Sequence, residues 1–128
     1  MDQRIDFTQE DFLETKGINF QRYVSSNDIE EDEYFEIVKN NAYRRLTDEI
    51  NKRSTIRLNL DNLQAWQYDA LKLAIMDLIE FTLNAFDTYA FNGYNPDGSR
   101  IMLCPYFIIE NLRSNGLIHN RVGRNYVC

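Results

Sequence analysis

Three features of this sequence carry residue types that could support catalysis or bind a metal: one histidine, two cysteines and an acidic run. His119 is the only histidine, so sites built from several histidines are excluded and histidine-assisted acid–base chemistry has a single candidate. Cys104 and Cys128 form no Cys-x-x-Cys pair, and a zinc ion needs more ligands than they supply. A nucleophilic Cys104 assisted by His119 has no evident third group to orient the histidine. The sequence therefore predicts that the protein is not an enzyme.

The acidic run at residues 28–36 holds six carboxylates and no base. It lacks the Asp-x-Asp-x-Asp-Gly loop with a distal glutamate that is typical of calcium sites. It follows a Ser-Ser-Asn helix start signal, and carboxylates favour the positive end of a helix dipole. No glycine pattern that cradles a phosphate occurs. We therefore expect no metal and no cofactor.

The composition of the chain narrows the classes of function that it can have. The chain has 128 residues, 44% of them hydrophobic and 27% charged, which is typical of one globular domain. Its formal net charge of -6 disfavours a DNA-binding regulator, which needs a basic surface. The two cysteines suit a reducing compartment such as the cytoplasm, and neither a signal peptide nor a membrane span is evident. The sequence predicts a soluble domain that binds other protein chains.

Helical periodicity dominates the first half of the chain. Thr8 is placed to cap the amide of Asp11, and Gly17 ends this short first helix. Apolar residues then recur every three or four positions, which predicts a second helix over residues 29–52. Residues 54–60 alternate in part between apolar and polar, which fits a short strand or an extended loop.

A long central helix is predicted over residues 63–89, with Asp61 and Gln64 as its capping box. Its apolar residues line two faces, so the helix is buried on two sides. Either the chain's own core or a neighbouring subunit covers the second side, and the pattern alone leaves both open. The residues expected to pack between subunits are Trp66, Leu71, Ile75, Ile79, Leu83 and Phe86.

Turn residues and a short helix follow. The Asn-Pro-Asp-Gly turn signal predicts a short β-hairpin near residues 89–103, and Pro105 begins a last helix that Asn115 and Gly116 end. The fold expected is mainly α: a small helical bundle domain over residues 1–116 and an extended C-terminal arm over residues 117–128. The tip of the hairpin, a projecting loop, is Tyr94, Asn95, Pro96 and Asp97.

Four segments, in this order, are the opening helix at residues 6–12, the acidic helix start and its continuation at residues 28–50, the central segment at residues 70–81, and the closing segment at residues 114–123. Their order resembles the head–tail connector proteins of long-tailed bacteriophages, also called adaptors or head-completion proteins. The closing Ser-Asn-Gly-Leu-Ile-His-Asn-Arg-Val-Gly is similar to that family's leucine, aromatic or basic, arginine, glycine tail. The chain departs from the family pattern at residues 54–60 and 89–94.

The resemblance implies a virion protein, assembled in the host cytoplasm as a ring of about twelve copies below the capsid portal. Such a ring extends the DNA channel and docks a stopper or tail-completion protein. The net negative charge suits a channel through which DNA slides without sticking. The arm residues that the resemblance implies for portal binding are Leu117, Ile118, His119, Arg121, Arg124, Tyr126 and Val127.

Three other functions remain open. The first is another interaction protein, such as a tail-completion protein or a bacterial helical adaptor, which would not form a large ring. The second is a small helical enzyme using Cys104 or the acidic run, which Cys104→Ala and a test for bound metal would address. The third is a DNA-binding regulator, which would bind duplex DNA in a salt-sensitive manner.

Overall fold

The computed structural model describes residues 1–23, 31–85 and 104–119. No strand occurs in these ranges, so the mainly α fold is confirmed, while the hairpin predicted near residues 89–103 lies outside the described residues. Short 3-10 turns lie at Phe20–Tyr23 and Leu60–Asn62. The four helices are α1 (Gln9–Lys16), α2 (Glu31–Arg53), α3 (Ala65–Ala85) and α4 (Tyr106–Ser114).

Helix α1 begins and ends where its sequence predicts. The Thr8 hydroxyl accepts a hydrogen bond from the Asp11 amide at 3.1 Å, and the Asp11 carboxylate accepts one from the Thr8 amide at 3.1 Å. These reciprocal bonds form a capping box. Gly17 ends the helix at φ +69°, where its amide donates to the Leu13 carbonyl at 2.8 Å.

An aromatic cluster fixes the N-terminal segment against α2. The ring centroid of Phe35 lies 6.0 Å from that of Phe7, 5.8 Å from that of Phe12 and 5.1 Å from that of Phe20. All four side chains are buried. Because edge-to-face and tilted ring pairs add stability beyond burial alone, Phe35 helps to hold residues 7–20 against α2.

Helix α3 is the central helix, and its two apolar faces are covered by its own chain. It packs against α1, α2 and α4. Leu71, Ile75, Ile79 and Leu83 are all 4% exposed or less. Since other helices of the same chain already cover these four side chains, they are not available to a neighbouring subunit, which corrects the expectation from the sequence.

The capping box predicted for the start of α3 is wrong by three positions. The Gln64 amide donates to the Gln67 side-chain carbonyl at 2.8 Å, so Gln67 closes the first turn. Asp61 instead lies in the preceding 3-10 turn, where Asn59 accepts the Asp61 amide at 3.0 Å. Because the Asn59 side chain caps this 3-10 turn, the turn begins before residue 61 and Asp61 does not cap α3. Residues 54–59 form no strand, so of the two predicted alternatives the loop is the one observed.

The end of α4 returns the chain to the core. The Leu117 amide donates to the Leu112 carbonyl at 2.9 Å, and the Gly116 amide donates to the Arg113 carbonyl at 3.1 Å. With Gly116 at φ +73°, this pair of bonds is a Schellman motif, which places the residue after the glycine against the helix. Leu117 and Ile118 are accordingly 1% and 5% exposed. The predicted arm therefore does not begin at residue 117, because its first two residues belong to the core.

Backbone hydrogen bonds then anchor His119 to the segment that follows α2. The His119 amide donates to the Ser54 hydroxyl at 3.0 Å. Its carbonyl accepts the Thr55 amide at 2.7 Å and the Thr55 hydroxyl at 3.1 Å. Residues 116–119, called the mount below, are thus fixed by burial and by hydrogen bonds at two sites.

One lysine is buried between the N-terminal segment and α2. Lys39 is 1% exposed, and its ammonium group donates to the Phe7 carbonyl at 2.7 Å and to the carboxylates of Asp6 and Glu36. The same group lies 5.3 Å from the Phe7 ring centroid and 5.6 Å from that of Phe35. Three acceptors and two aromatic rings replace the water that the charge loses on burial.

Replacing Lys39 is expected to destabilise the fold. Lys39→Ala removes the hydrogen bonds and the aliphatic stem packed among the rings, at a cost of about 2–3 kcal/mol. The cost stays below that of a fully buried ion pair because Asp6 and Glu36 reach water. Lys39→Met keeps the stem and should cost about half as much. Urea unfolding measures both, and Lys52→Ala, at a 73% exposed side chain, is the control. Equal midpoints for the Lys39 and Lys52 variants would contradict this role.

Candidate protein-interaction surface

Cys104, the candidate nucleophile, is half-buried. Burial, with a further contribution from Glu49, raises the pKa of the half-buried Cys104 thiol to about 12. The thiol is therefore protonated at neutral pH and is a poor nucleophile. The hydrogen bonds of His119 described above come from its backbone. Within residues 1–23, 31–85 and 104–119, no group of three His, Cys, Asp or Glu side chains is arranged to hold a metal.

The position of the acidic run and the length of the helices each bear on a prediction from the sequence. Residues 31–36 of the run form the first turns of α2, as the dipole argument predicts, and residues 28–30 lie outside the described residues. In the described part of the chain, no helix has both the length and the apolar character needed to cross a bilayer.

Ion pairs join the N-terminal segment to the other helices. The Lys16 ammonium contacts the carboxylates of Asp77 and Glu80 on α3. Burial lowers the pKa of Lys16, but the hydrogen bonds to these two carboxylates outweigh it and raise that pKa. Burial likewise raises the pKa of Asp6, but hydrogen bonds from Lys39 and the Phe7 amide lower it overall.

Stability is expected to fall in acid as these contacts are lost. Hydrogen bonds from Arg4 lower the pKa of Asp2 to about 2, and the pKa of Asp6 is also lowered. A carboxylate with a depressed folded-state pKa stabilises the fold above its unfolded pKa of about 3.9 and loses this effect as the pH falls through the folded value. The urea midpoint should therefore drop between about pH 4 and pH 2. Lys16, with its raised pKa, adds a loss only above about pH 10.4.

Comparing the parent chain with Asp6→Asn isolates the contribution of the Asp6 carboxylate to this pH dependence. The difference in urea midpoint between the parent and Asp6→Asn should be largest above about pH 4 and should shrink as the pH falls and the Asp6 carboxylate becomes protonated. Asp48→Asn, at an exposed position on α2, is the matched control. A difference for Asp6→Asn that stays constant across this range would contradict the assignment.

The residues predicted for partner binding fall into two groups. Leu117 and Ile118 are core residues, and His119 is exposed at the end of the mount. On α3, Trp66 is exposed and Leu71, Ile75, Ile79 and Leu83 are buried. All the other predicted residues lie outside the described residues. These are Phe86 of the helix, Tyr94, Asn95, Pro96 and Asp97 of the loop, and Arg121, Arg124, Tyr126 and Val127 of the arm.

A groove runs between α3 and α4. Ala74 is buried in it and Ala70 half-buried, while Trp66 is 54% and Leu73 43% exposed. The groove encloses about 420 Å³. The side chains that line it are Trp66, Asp69, Ala70, Leu73, Ala74 and Asp77 from α3, and Asn111 and Asn115 from the α4 side.

The groove offers polar groups as well as apolar surface. Among the described residues, neither the Asp69 carboxylate nor the Asn111 side-chain amide has a polar partner, and both residues are exposed. Asp77, at the far end, is paired with Lys16. The groove can therefore accept a ligand that brings apolar groups, a positive charge and backbone amides or carbonyls.

A second exposed apolar feature lies at the start of α4. Tyr106 is 72% and Phe107 53% exposed, and these two residues are called the aromatic pair below. Ile109 and Leu112, which share helical spacing with Tyr106, are buried, whereas Tyr106 is not. Ile108 takes the buried position instead, because the core side of α4 is centred between residues 108 and 112.

Sequence reasoning had singled out Trp66 but missed Leu73 and Phe107. The available signal was that Leu73 is an apolar residue belonging to neither apolar face of the central helix. Met76 also belongs to neither face and is 3% exposed, so this signal alone does not identify an uncovered side of the helix.

Comparison with known proteins adds no family to this description. No protein-family model, no curated protein and no solved structure matches the chain. Function is therefore inferred from the packing and chemistry of the chain itself.

Proposed function

We propose that this chain is a structural subunit of the ring that connects the portal of a long-tailed bacteriophage capsid to the tail. In this role it binds further copies of itself, the portal protein above and a stopper or tail-completion protein below. DNA passes through the ring without being read. The proposal follows the order of the sequence segments and is supported by features of the described residues.

The observation that carries the proposal is the mount. Leu117 and Ile118 are buried and His119 is held by Ser54 and Thr55, so the point at which the chain continues to residue 120 is fixed. A gripping arm needs such an attachment, because a load on the arm must be transmitted to the core rather than unravel α4. The proposed portal-binding residues are then Arg121, Arg124, Tyr126 and Val127.

The aromatic pair supports contacts between subunits. Single exposed apolar side chains are ordinary, but adjacent exposed aromatic residues are enriched at interfaces. Tyr106 and Phe107 lie on α4, whereas Ile37, 42% exposed, lies on the outer side of α2. A ring requires two different complementary patches on each subunit, and these two helices provide candidates for them.

The test is the mass of the assembly by light scattering, for the chain alone and after mixing with the portal protein of the same genome. The proposal expects a ring of about a dozen copies, alone or with portal. Deleting residues 120–128 should abolish portal binding while leaving the domain folded. A monomer or dimer that ignores portal would contradict the proposal and would favour a cellular adaptor or a tail-completion protein.

A variant pair tests the subunit contact. Tyr106→Ser with Phe107→Ser should prevent ring formation, because it removes the aromatic surface that the contact buries. Ile56→Ser, at a 50% exposed residue in the loop after α2, removes a comparable exposed apolar side chain elsewhere and should assemble normally. Equal assembly of both variants would exclude the aromatic pair from the interface.

A further inference from the structure

We propose that the groove between α3 and α4 binds the C-terminal residues 120–128 of the same chain when no partner is present. The groove is then the resting site of the arm. This inference goes beyond the connector function and holds whichever partner finally takes the arm.

The position of the mount brings the start of this segment close to the groove. His119 shares a smaller cavity with Leu63 and Gln67, at the start of α3. The Gln67 side-chain amide donates to the Asn115 carbonyl at 3.0 Å. Because Asn115 and Trp66 both line the groove, His119 lies near the end of the groove where α3 begins.

The length of the segment suffices to fill the groove. From Trp66 to Asp77 a helix rises roughly 16 Å. Residues 120–128 can span up to roughly 30 Å when extended, which leaves enough chain to turn from the mount into the groove. A tethered segment this short has an effective concentration in the millimolar range, well above that of a second copy at micromolar concentration. The segment's own groove is therefore favoured over that of a neighbour.

The chemistry of the two surfaces is complementary. Residues 120–128 contain Arg121 and Arg124 and no acidic side chain, whereas the groove presents the Asp69 carboxylate, which has no polar partner among the residues that the structure describes. An arginine can also stack on the exposed ring of Trp66. The apolar residues of the segment, Val122, Tyr126 and Val127, match the alanine floor and Leu73. The Asn111 amide can bond the backbone of an extended segment, which has no internal partners.

Quenching of tryptophan emission tests the contact directly in the full-length chain. Trp66 is the only tryptophan, so the emission reports on the groove. A nitroxide label placed at Asn125→Cys in a Cys128→Ser chain lies nearer to Trp66 in the docked segment than a label at residue 128 would, and it reacts selectively because the Cys104 thiol is half-buried and its pKa is raised to about 12. Even a contact with a millimolar dissociation constant keeps about half of the chains docked. The nitroxide should therefore reduce Trp66 emission by about half or more relative to a diamagnetic label of the same shape.

Dilution distinguishes the chain's own arm from that of another copy. Mixing the labelled chain with an excess of unlabelled Trp66→Phe chain should leave the quenching unchanged if the contact is intramolecular. Quenching that disappears in the mixture would assign the groove to a second copy and overturn the proposal. Absence of quenching in the labelled chain alone would overturn it as well.

Charge reversal of the two arginines provides a second, independent test. Arg121→Glu with Arg124→Glu should reduce the docking equilibrium constant roughly tenfold and relieve the quenching, and adding Asp69→Lys should restore part of it. Arg22→Glu with Arg44→Glu, at exposed positions outside the groove, makes the same change in net charge and should leave the quenching intact. Equal effects of the two arginine pairs would contradict binding in the groove. These readouts do not require portal, so failure of the connector proposal and failure of this one are distinguishable.

Discussion

A chain that ends at Gly116 is expected to lose most of its stability, whereas a chain that ends at His119 should keep nearly all of it. Leu117 and Ile118 are 1% and 5% exposed, and burial of one such side chain contributes about 1.5–3 kcal/mol. The lost hydrogen bonds to Leu112, Ser54 and Thr55 add about 1 kcal/mol each. The sum is comparable with the total stability of a typical domain, about 5–15 kcal/mol. Circular dichroism during urea unfolding measures the difference.

A point variant distinguishes the effect of burying Leu117 from the effect of shortening the chain. Leu117→Ser in the full-length chain should lower the urea midpoint strongly, because it places a hydroxyl in the core and removes the contact that closes the Schellman motif. Deletion of residues 120–128 alone should leave the midpoint nearly unchanged. If the chains ending at Gly116 and at His119 unfold at the same urea concentration, residues 117–119 are not part of the core.

Phe35→Ala is expected to cost about 3–5 kcal/mol, because it opens a cavity in the aromatic cluster that cannot collapse without moving two segments. Phe35 is 1% exposed and contacts the rings of Phe7, Phe12 and Phe20. Its loss should also release the N-terminal segment, so amide hydrogens of α1 should exchange sooner than those of α3. Urea unfolding and hydrogen exchange check the two effects.

The matched control is an aromatic residue outside the cluster. Tyr106 is 72% exposed, so Tyr106→Ala should stay within about 0.5 kcal/mol of the parent. Phe35→Leu fills part of the cavity and should fall between the two. A cost for Phe35→Ala no larger than that for Tyr106→Ala would show that the cluster does not hold the N-terminal segment.

Local signals in the sequence predicted local structure well. Thr8, Asp11 and Gly17 determine α1 because each acts through hydrogen bonds to residues at most four positions away. The stripe of α2 was read correctly along its length, since its apolar spacing is regular. The start of α3 was misplaced because Asn59 caps a separate 3-10 turn that contains Asp61. The first turn of α3 is closed by Gln67, and glutamine is not among the preferred N-cap residues.

Contacts between distant residues were beyond the sequence pattern. The apolar residues of α3 show that two sides are buried, but not that the chain's own helices cover them. Lys39 has Glu36 one turn away on α2, yet nothing local indicates Asp6 as a partner. The apolar Leu117 directly after Gly116 is a signal for a Schellman motif. The absence of helical periodicity after residue 116 was interpreted instead as an extended arm, so the burial of Leu117 was not predicted.

The burial of Leu117 and Ile118 also bears on when this protein can fold. Synthesis proceeds from the N-terminus, and domains generally fold as units as they emerge. Here residues 117 and 118 complete the core and lie against the end of α2 and the start of α3. While they remain inside the ribosome, the helices already made keep part of their apolar surface in water. The final packing of the domain is therefore expected only after residues 117–119 have emerged, which leaves a short interval in which chaperones can bind it.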